Sequence, residues 1–320
     1  MLYFIVLVAF FILMLLYFKI AERYNIVDRP NERSSHTVVT IRGGGIIFCT
    51  ASLLILLLYP AYWLPATGSL MIGAISFIDD RITLSNKIRL IVHFASVTAM
   101  FLFLNIFHLS WYWPVIFYIL AIGIINVYNF MDGINGITGV YTLVILGALQ
   151  YINLRVIPFT EADMIWFLML ASVVFLYFNF RTRARCFAGD VGSITIAFWL
   201  VFFLIKIILQ TNDWKYILLL SVYGVDSVLT IIHRLILKQN IFKAHRLHFY
   251  QLMANERKVP HLVVSAIYGI VQGIINLFLV NQIGNVNSAI TFVVVLLPLV
   301  IIYIVVKWLM MGKRDALSAA

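Results

Sequence analysis

The 320-residue sequence predicts an all-α, polytopic membrane protein forming a single domain over residues 1–320. Three observations carry that prediction. Hydrophobic residues make up 63% of the chain and charged residues 11%, with mean hydropathy +1.01, which is the composition of a chain whose main solvent is not water. Apolar runs of about 17 to 25 residues, enough to cross a hydrocarbon layer of about 30 Å, recur from end to end and leave no room for a separate soluble domain. The basic residues fall in alternate connections between those runs.

Eleven spans are expected, near 2–20, 43–60, 64–78, 88–106, 112–128, 136–153, 162–179, 191–210, 214–233, 261–281 and 288–308, with ten as the nearest other count. The first run, LYFIVLVAFFILMLLYF, lacks a basic leader and a small-residue cleavage site, so it reads as a retained span. The third is short. Of the 23 Lys and Arg, 20 lie at 19–42, 81–89, 181–185, 234–258 and 307–314, and only Arg155, Lys206 and Lys215 lie in the intervening connections. By the positive-inside rule that bias places the N-terminus outside and the odd-to-even connections in the cytoplasm. The same rule, with attraction to anionic lipid, accounts for the net charge of +10, so nucleic acid is not an expected partner. The cysteines, Cys49 in an apolar run and Cys186 beside three arginines, do not make a disulfide framework.

The acidic residues gather in the same connections as the bases. Adjacent acids at a span end, Asp79 and Asp80 in SFIDDRITLSNKIRL, repel each other and call for a cation, a shared proton or a basic partner. Lys87 and Arg89 on the next span's first turns can form a structural ion pair with them or neutralise phosphate oxygens. In NVYNFMDGINGITG, Asn126, Asn129 and Asp132 recur every three residues and share one helix face before Gly133 interrupts it. In FAGDVGS, Asp190 lies between glycines at the start of a span, where backbone N–H groups and the helix end favour phosphate. AHRLHFYQ carries His245, Arg246 and His248 in the most basic connection; no third Cys or Glu ligand is near, so phosphate fits better than zinc. His36 and Arg42 precede three glycines in an anion-loop pattern that is weak alone, and Asp226 stands apart inside the ninth span.

Taken in order, ERSSHTVVTIRGGG, DDRITLSNKIRL, NVYNFMDGINGITG, FAGDVGS and AHRLHFYQ resemble the polyprenyl-phosphate N-acetylhexosamine-1-phosphate transferase superfamily, which includes undecaprenyl-phosphate GlcNAc-1-phosphate transferase and phospho-MurNAc-pentapeptide translocase. The resemblance covers residues 31 to 251 and is nearest the bacterial branch that initiates O-antigen, capsule or related glycans. It implies a cytoplasmic-face cleft in the bacterial inner membrane that transfers a sugar-1-phosphate from a UDP-N-acetylhexosamine to undecaprenyl phosphate and releases UMP. It further implies Mg²⁺, with Mn²⁺ as a substitute, and is compatible with a homodimer. Carried over by residue, Asp190 and Asn129 are the metal ligands, while Asp79, Asp80 and Asp132 are the catalytic acids. Lys87, Arg89, Asn126, Asn135, Phe187, His36, His245, Arg246 and His248 are the substrate contacts, Phe187 by stacking on uracil. One departure stands out: many members read DGxDG where this chain reads DGING, so Asn135 replaces the second acid and cannot serve as a base. The competing expectation is a secondary transporter of an anionic solute, for which intramembrane Asp226 and the glycines are also features; against it, the acids cluster at one face and no internal repeat is visible.

Overall fold

Ten helices among the described residues are long and apolar enough to cross a membrane, as the composition requires of a polytopic all-α chain. The computed structural model describes residues 1–29, 38–82, 84–240, 246–282 and 287–318. The helices are α1 Leu2–Arg23, α2 Ile46–Leu58, α3 Trp63–Arg81, α4 Asn86–Phe103, α5 Tyr112–Met131, α6 Ile137–Arg155, α7 Ala162–Asn179, α8 Gly189–Thr211, α9 Ser221–Ile236, α10 Phe249–Gln251, α11 His261–Asn281 and α12 Ser288–Ser318. Nearly all of α8 is inside the protein, 94% of its apolar window being buried, so it is the axis of the bundle. Against it pack α3, α5 and α2, while α6 packs on α7 and α11, α1 on α7, and α12 on α9.

Two expected spans differ in the structure. The second is a helix of only 13 residues, α2, about 20 Å long and so shorter than a hydrocarbon layer; Pro60 lacks the N–H to continue it, and a 3₁₀ turn, Pro60–Tyr62, leads into α3. The ninth begins as a 3₁₀ stretch, Trp214–Leu220, and becomes α-helical only at α9. A side chain from α11 enters at that junction: Gln272 donates from Nε2 to Leu218 O (3.1 Å) and accepts from the Val222 N–H (3.0 Å), while the Tyr141 hydroxyl accepts from the Tyr223 N–H (3.1 Å). Side chains thus add partners for backbone groups at the change of helix type, which suits an apolar setting. Two short strands, β1 Val27–Asp28 and β2 Thr40–Ile41, pair antiparallel and were not anticipated.

Small residues let the central helices touch. A Cβ on Gly45 would lie 2.1 Å from the Gly192 Cα, and one on Gly73 would lie 2.4 Å from Cys49 Sγ, so α2, α3 and α8 meet at backbone distance. Between them the Trp199 indole donates to Ser52 Oγ (2.8 Å), which shares a further hydrogen bond with Ser69 Oγ (2.8 Å). Replacing Gly192 with Val should therefore separate the start of α8 from α2. The expected result is a loss of about 3 kcal/mol or more, read as a markedly lower melting temperature or an aggregated elution profile in detergent; a wild-type melting curve would show that this close approach is dispensable.

Candidate active site

The site is assembled by backbone zipping beside α8. β2 continues as a ladder onto the segment before that helix: the Phe187 N–H donates to Ile41 O (2.8 Å), the Gly44 N–H to Phe187 O (2.8 Å) and the Gly45 N–H to Ala188 O (3.0 Å). The Tyr17 hydroxyl holds the Arg42 carbonyl from α1 (2.6 Å). Gly189 takes a φ of +69°, and a Cβ there would fall 2.5 Å from Asp80 Oδ2; only glycine meets both conditions.

Asp80, at the end of α3, plugs this junction. Its carboxylate, with no side-chain exposure, accepts the Asp190 and Val191 N–H groups at the start of α8 (3.1 Å each) and pairs with Arg42 (Nη2 2.7 Å, Nε 2.8 Å). An acid at a helix N-terminus satisfies orphan donors and complements the helix dipole. Asp79 faces the other way, accepting the Leu84 N–H (2.7 Å) and pairing with Arg89 (3.0 Å). Arg89 also reaches Asp190 at 3.4 Å. The two arginines thus link three acids from two chain segments, the end of α3 and the start of α8.

A cleft of about 290 Å³ opens here, lined by Asp28, Arg42, Asn129, Asp132, Gly133, Ile134, Asn135, Asn179, Phe187, Ala188, Gly189, Asp190, Gln251 and His261. Asn129 Oδ1 accepts from the Ser193 hydroxyl (2.7 Å), and Asp132 ends α5 with its carboxylate accepting from the Thr138 hydroxyl (2.5 Å). Burial pushes the Asp132 carboxyl up to about 7; the Thr138 hydrogen bond opposes the rise, the negative charges of Asp190 and Asp80 add to it, and Arg42 offsets part of it. No cluster of three or more His, Cys, Asp or Glu suited to a metal exists among the described residues. Mg²⁺, however, is held by one or two carboxylates with water and substrate phosphates, and Asp190, Asn129 and Asp132 offer hard oxygens of that kind in one cleft.

Other expected residues are placed as follows. Asn135 is buried, its amide donating to the Arg181 and Thr182 carbonyls (2.8 and 3.4 Å). A carboxylate would there face two carbonyl oxygens, so the departure from DGxDG has a structural cause. Phe187 is on the cleft wall. Asn126 lies a turn deeper, off the cleft, and donates to Ile122 O of its own helix (2.8 Å). Lys87 is exposed outside the cleft wall, and Arg246 is half-buried outside it. His248, expected as a substrate contact, is buried away from the cleft wall, with Nδ1 3.4 Å from Asp226 Oδ1, because Asp226 draws its segment into the protein. His36 and His245 lie outside the described residues. Burial pushes the Cys186 thiol well up, keeping it a neutral packing group.

Sequence reasoning passed over Asp28, Asn179, Gln251 and His261 and left Arg42 as a weak signal. Asn179 accepts the Gly136 N–H (2.7 Å) and donates to Cys186 O (2.8 Å), tying two cleft loops together. As one amide at the end of an apolar run it gave no signal. Arg42 had one, an arginine directly before three glycines.

Residues 62–208 match the model of glycosyl transferase family 4. That stretch contains Asp79, Asp80, Asn129, Asp132 and Asp190, whereas Arg42 and Gln251 lie outside it. The chain is similar to the probable undecaprenyl-phosphate N-acetylglucosaminyl 1-phosphate transferase of Bacillus subtilis, 24% identical over 259 residues that cover 74% of this chain and 72% of the relative. It is similar to the undecaprenyl-phosphate alpha-N-acetylglucosaminyl 1-phosphate transferase of Escherichia coli K12, 29% identical over 223 residues, 62% of this chain and 58% of the relative. Phospho-N-acetylmuramoyl-pentapeptide-transferase of Thermotoga neapolitana is 27% identical over 264 residues, 75% of this chain and 85% of the relative. The family read from the sequence motifs is the one these comparisons find.

Two measurements check the site. Asn135→Asp should lower stability by about 2 to 4 kcal/mol through a buried acceptor left facing carbonyls, seen as a reduced melting temperature in detergent; an unchanged melting temperature would refute the donor role. For Asp132, the folded value is raised, so between about pH 4 and pH 7 the native state keeps a proton that the unfolded chain has lost. Its stabilising contribution is full below about pH 4 and is lost as pH rises through about 7, with a slope of at most about 1.4 kcal/mol per unit. Wild type should lose stability relative to Asp132→Asn across that window in Mg²⁺-free solution; parallel curves would remove the assignment.

Proposed function

We propose that this chain transfers a sugar-1-phosphate from a UDP-N-acetylhexosamine to undecaprenyl phosphate at the cytoplasmic face of a bacterial inner membrane, releasing UMP and starting a cell-envelope glycan. The observation that carries the reading is the meeting of Asp132, Asp190, Asn129 and Arg42 in one cleft at the ends of membrane-length helices, with Asp80 and Arg89 paired to Arg42 and Asp190 behind its wall. The family segment and the relatives' names support the reaction class. Both substrates are anionic, one soluble and one with a lipid tail, and a cleft at the end of a membrane bundle reaches both.

The reaction needs an oxygen of the lipid phosphate to attack the β-phosphorus of the donor while the anhydride bond to the α-phosphate breaks and UMP leaves with the bridging oxygen. A phosphate monoester with a second ionisation near pH 6 is already largely anionic at neutral pH, so alignment and charge neutralisation matter more than proton removal. Arg42 and Arg89 supply positive charge at the cleft. Asp80 is engaged by Arg42 and the α8 N–H groups, and Asp79 by Arg89 and Leu84, so both act by holding cations and helix ends in place. Asp190 and Asn129, with Asp132, are the residues to hold Mg²⁺, which when bound supplies further neutralisation of the diphosphate. Phe187 offers a flat face for the uracil. Asp226, the feature shared with transporters, is occupied by donors from the Phe249 N–H and the Tyr268 hydroxyl (2.9 and 2.7 Å), and no observation favours transport.

Purified protein with undecaprenyl phosphate and a panel of UDP-N-acetylhexosamines should release UMP in the presence of Mg²⁺ with one preferred donor. Asp190→Ala should lower kcat by at least about a thousandfold. No release with any donor from folded wild-type protein would overturn the reading.

A further inference from the structure

The apolar window of α12, Ser288–Met310, is only 17% buried, yet the helix carries a buried lysine. Thr291, Val295, Tyr303 and Lys307 are buried, with Tyr303 and Lys307 one turn apart. Lys307 is 6% exposed. An ammonium in such a setting is costly unless its protons are received. They are: Nζ donates to the Leu247 carbonyl (2.9 Å), the Tyr303 hydroxyl (2.5 Å) and the Thr230 hydroxyl (3.4 Å).

An opposite charge holds the next residues of the same segment. Asp226, on α9, accepts the Phe249 and Tyr250 N–H groups (2.9 and 3.5 Å) and is joined to Lys307 through the Thr230 hydroxyl, 3.3 Å from Asp226 Oδ1. The base grips a carbonyl, and two residues later the acid grips amides, so the polarity of the backbone fixes the segment's direction as well as its place. What is held reaches the cleft twice. Gln251, the next residue, lies on the cleft wall. The Tyr250 hydroxyl donates to Phe130 O (2.9 Å), two residues before Asp132, and a Cβ on Gly133 would meet that hydroxyl at 2.2 Å.

We propose that Lys307 and Asp226 are positioning residues that set the cleft wall made by Gln251 and Gly133, so that the last helix shapes the donor site without touching substrate. The inference rests on reading the cleft as the donor site.

The test uses full-length wild type, Lys307→Met and Lys307→Arg in detergent. Two readouts are taken: UMP release with donor concentration varied, and hydrogen exchange of the 247–251 amides. Lys307→Met should raise the donor KM by about tenfold or more with kcat within about threefold, leave the acceptor KM unchanged, and be rescued by Lys307→Arg. The Phe249 and Tyr250 amides should exchange about tenfold faster in Lys307→Met, while those of α6 and α8 match wild type. Unaltered donor KM with unaltered exchange, or a loss of kcat alone, would overturn the proposal. If wild type releases no UMP, the reaction reading fails, and exchange alone still decides whether Lys307 holds the segment. If Lys307→Met does not fold, Tyr303→Phe and Lys307→Gln carry the same comparison.

Discussion

The anion that the start of α8 requires is the constraint on which the rest depends. A helix buried along nearly its whole length begins at Gly189, and Asp80 from α3 satisfies two of its first N–H groups. That acid is itself enclosed, so Arg42 must come from the loop after α1 to balance it. Arg42 in turn arrives only because β2 zips onto the 186–189 backbone. Removing one partner of such a buried pair leaves an uncompensated charge, which costs more than the pair contributes. The geometry of the cleft is therefore a by-product of solving a helix-capping problem in an apolar place.

The same rule governs several other buried polar groups. Gln272 bridges a change of helix type, Asn179 joins two loops, and Asp226 with Lys307 clamps the segment before α11. Without water to compete, these polar side chains take backbone or hydroxyl partners, and in doing so they tie elements distant in sequence. Loops at the end of the bundle are held by charges rooted inside it, which is how a set of short connections keeps a defined shape.

Much of the site was legible because membrane proteins are sparing with polar residues. Asp79, Asp80, Asp132 and Asp190 stood out against apolar neighbours, and their confinement to alternate connections placed them on one face. The cleft gathers Asp132, Asp190, Asn129 and Phe187, as the motifs implied. What a linear reading could not tell was direction. Asp79 and Asp80 are neighbours in sequence yet point to different arginines, since successive helix positions lie about 100° apart. His248 belongs to a basic stretch but turns inward to Asp226, and Lys307, counted among the surface bases, is buried.

By itself the amino-acid sequence determined that this chain is a bundle of membrane-length helices, where most of those helices run, and that its acids and bases meet at one end, because hydropathy and charge placement are local properties that the bilayer thickness converts directly into topology. Only the tertiary structure decided which carboxylates line the cleft and which cap helices, what the Asn135 amide donates to, and which distant side chains complete the wall. Those depend on helix rotation and on partners more than 100 residues apart, such as Asp80 with Asp190, and no spacing along the chain records them.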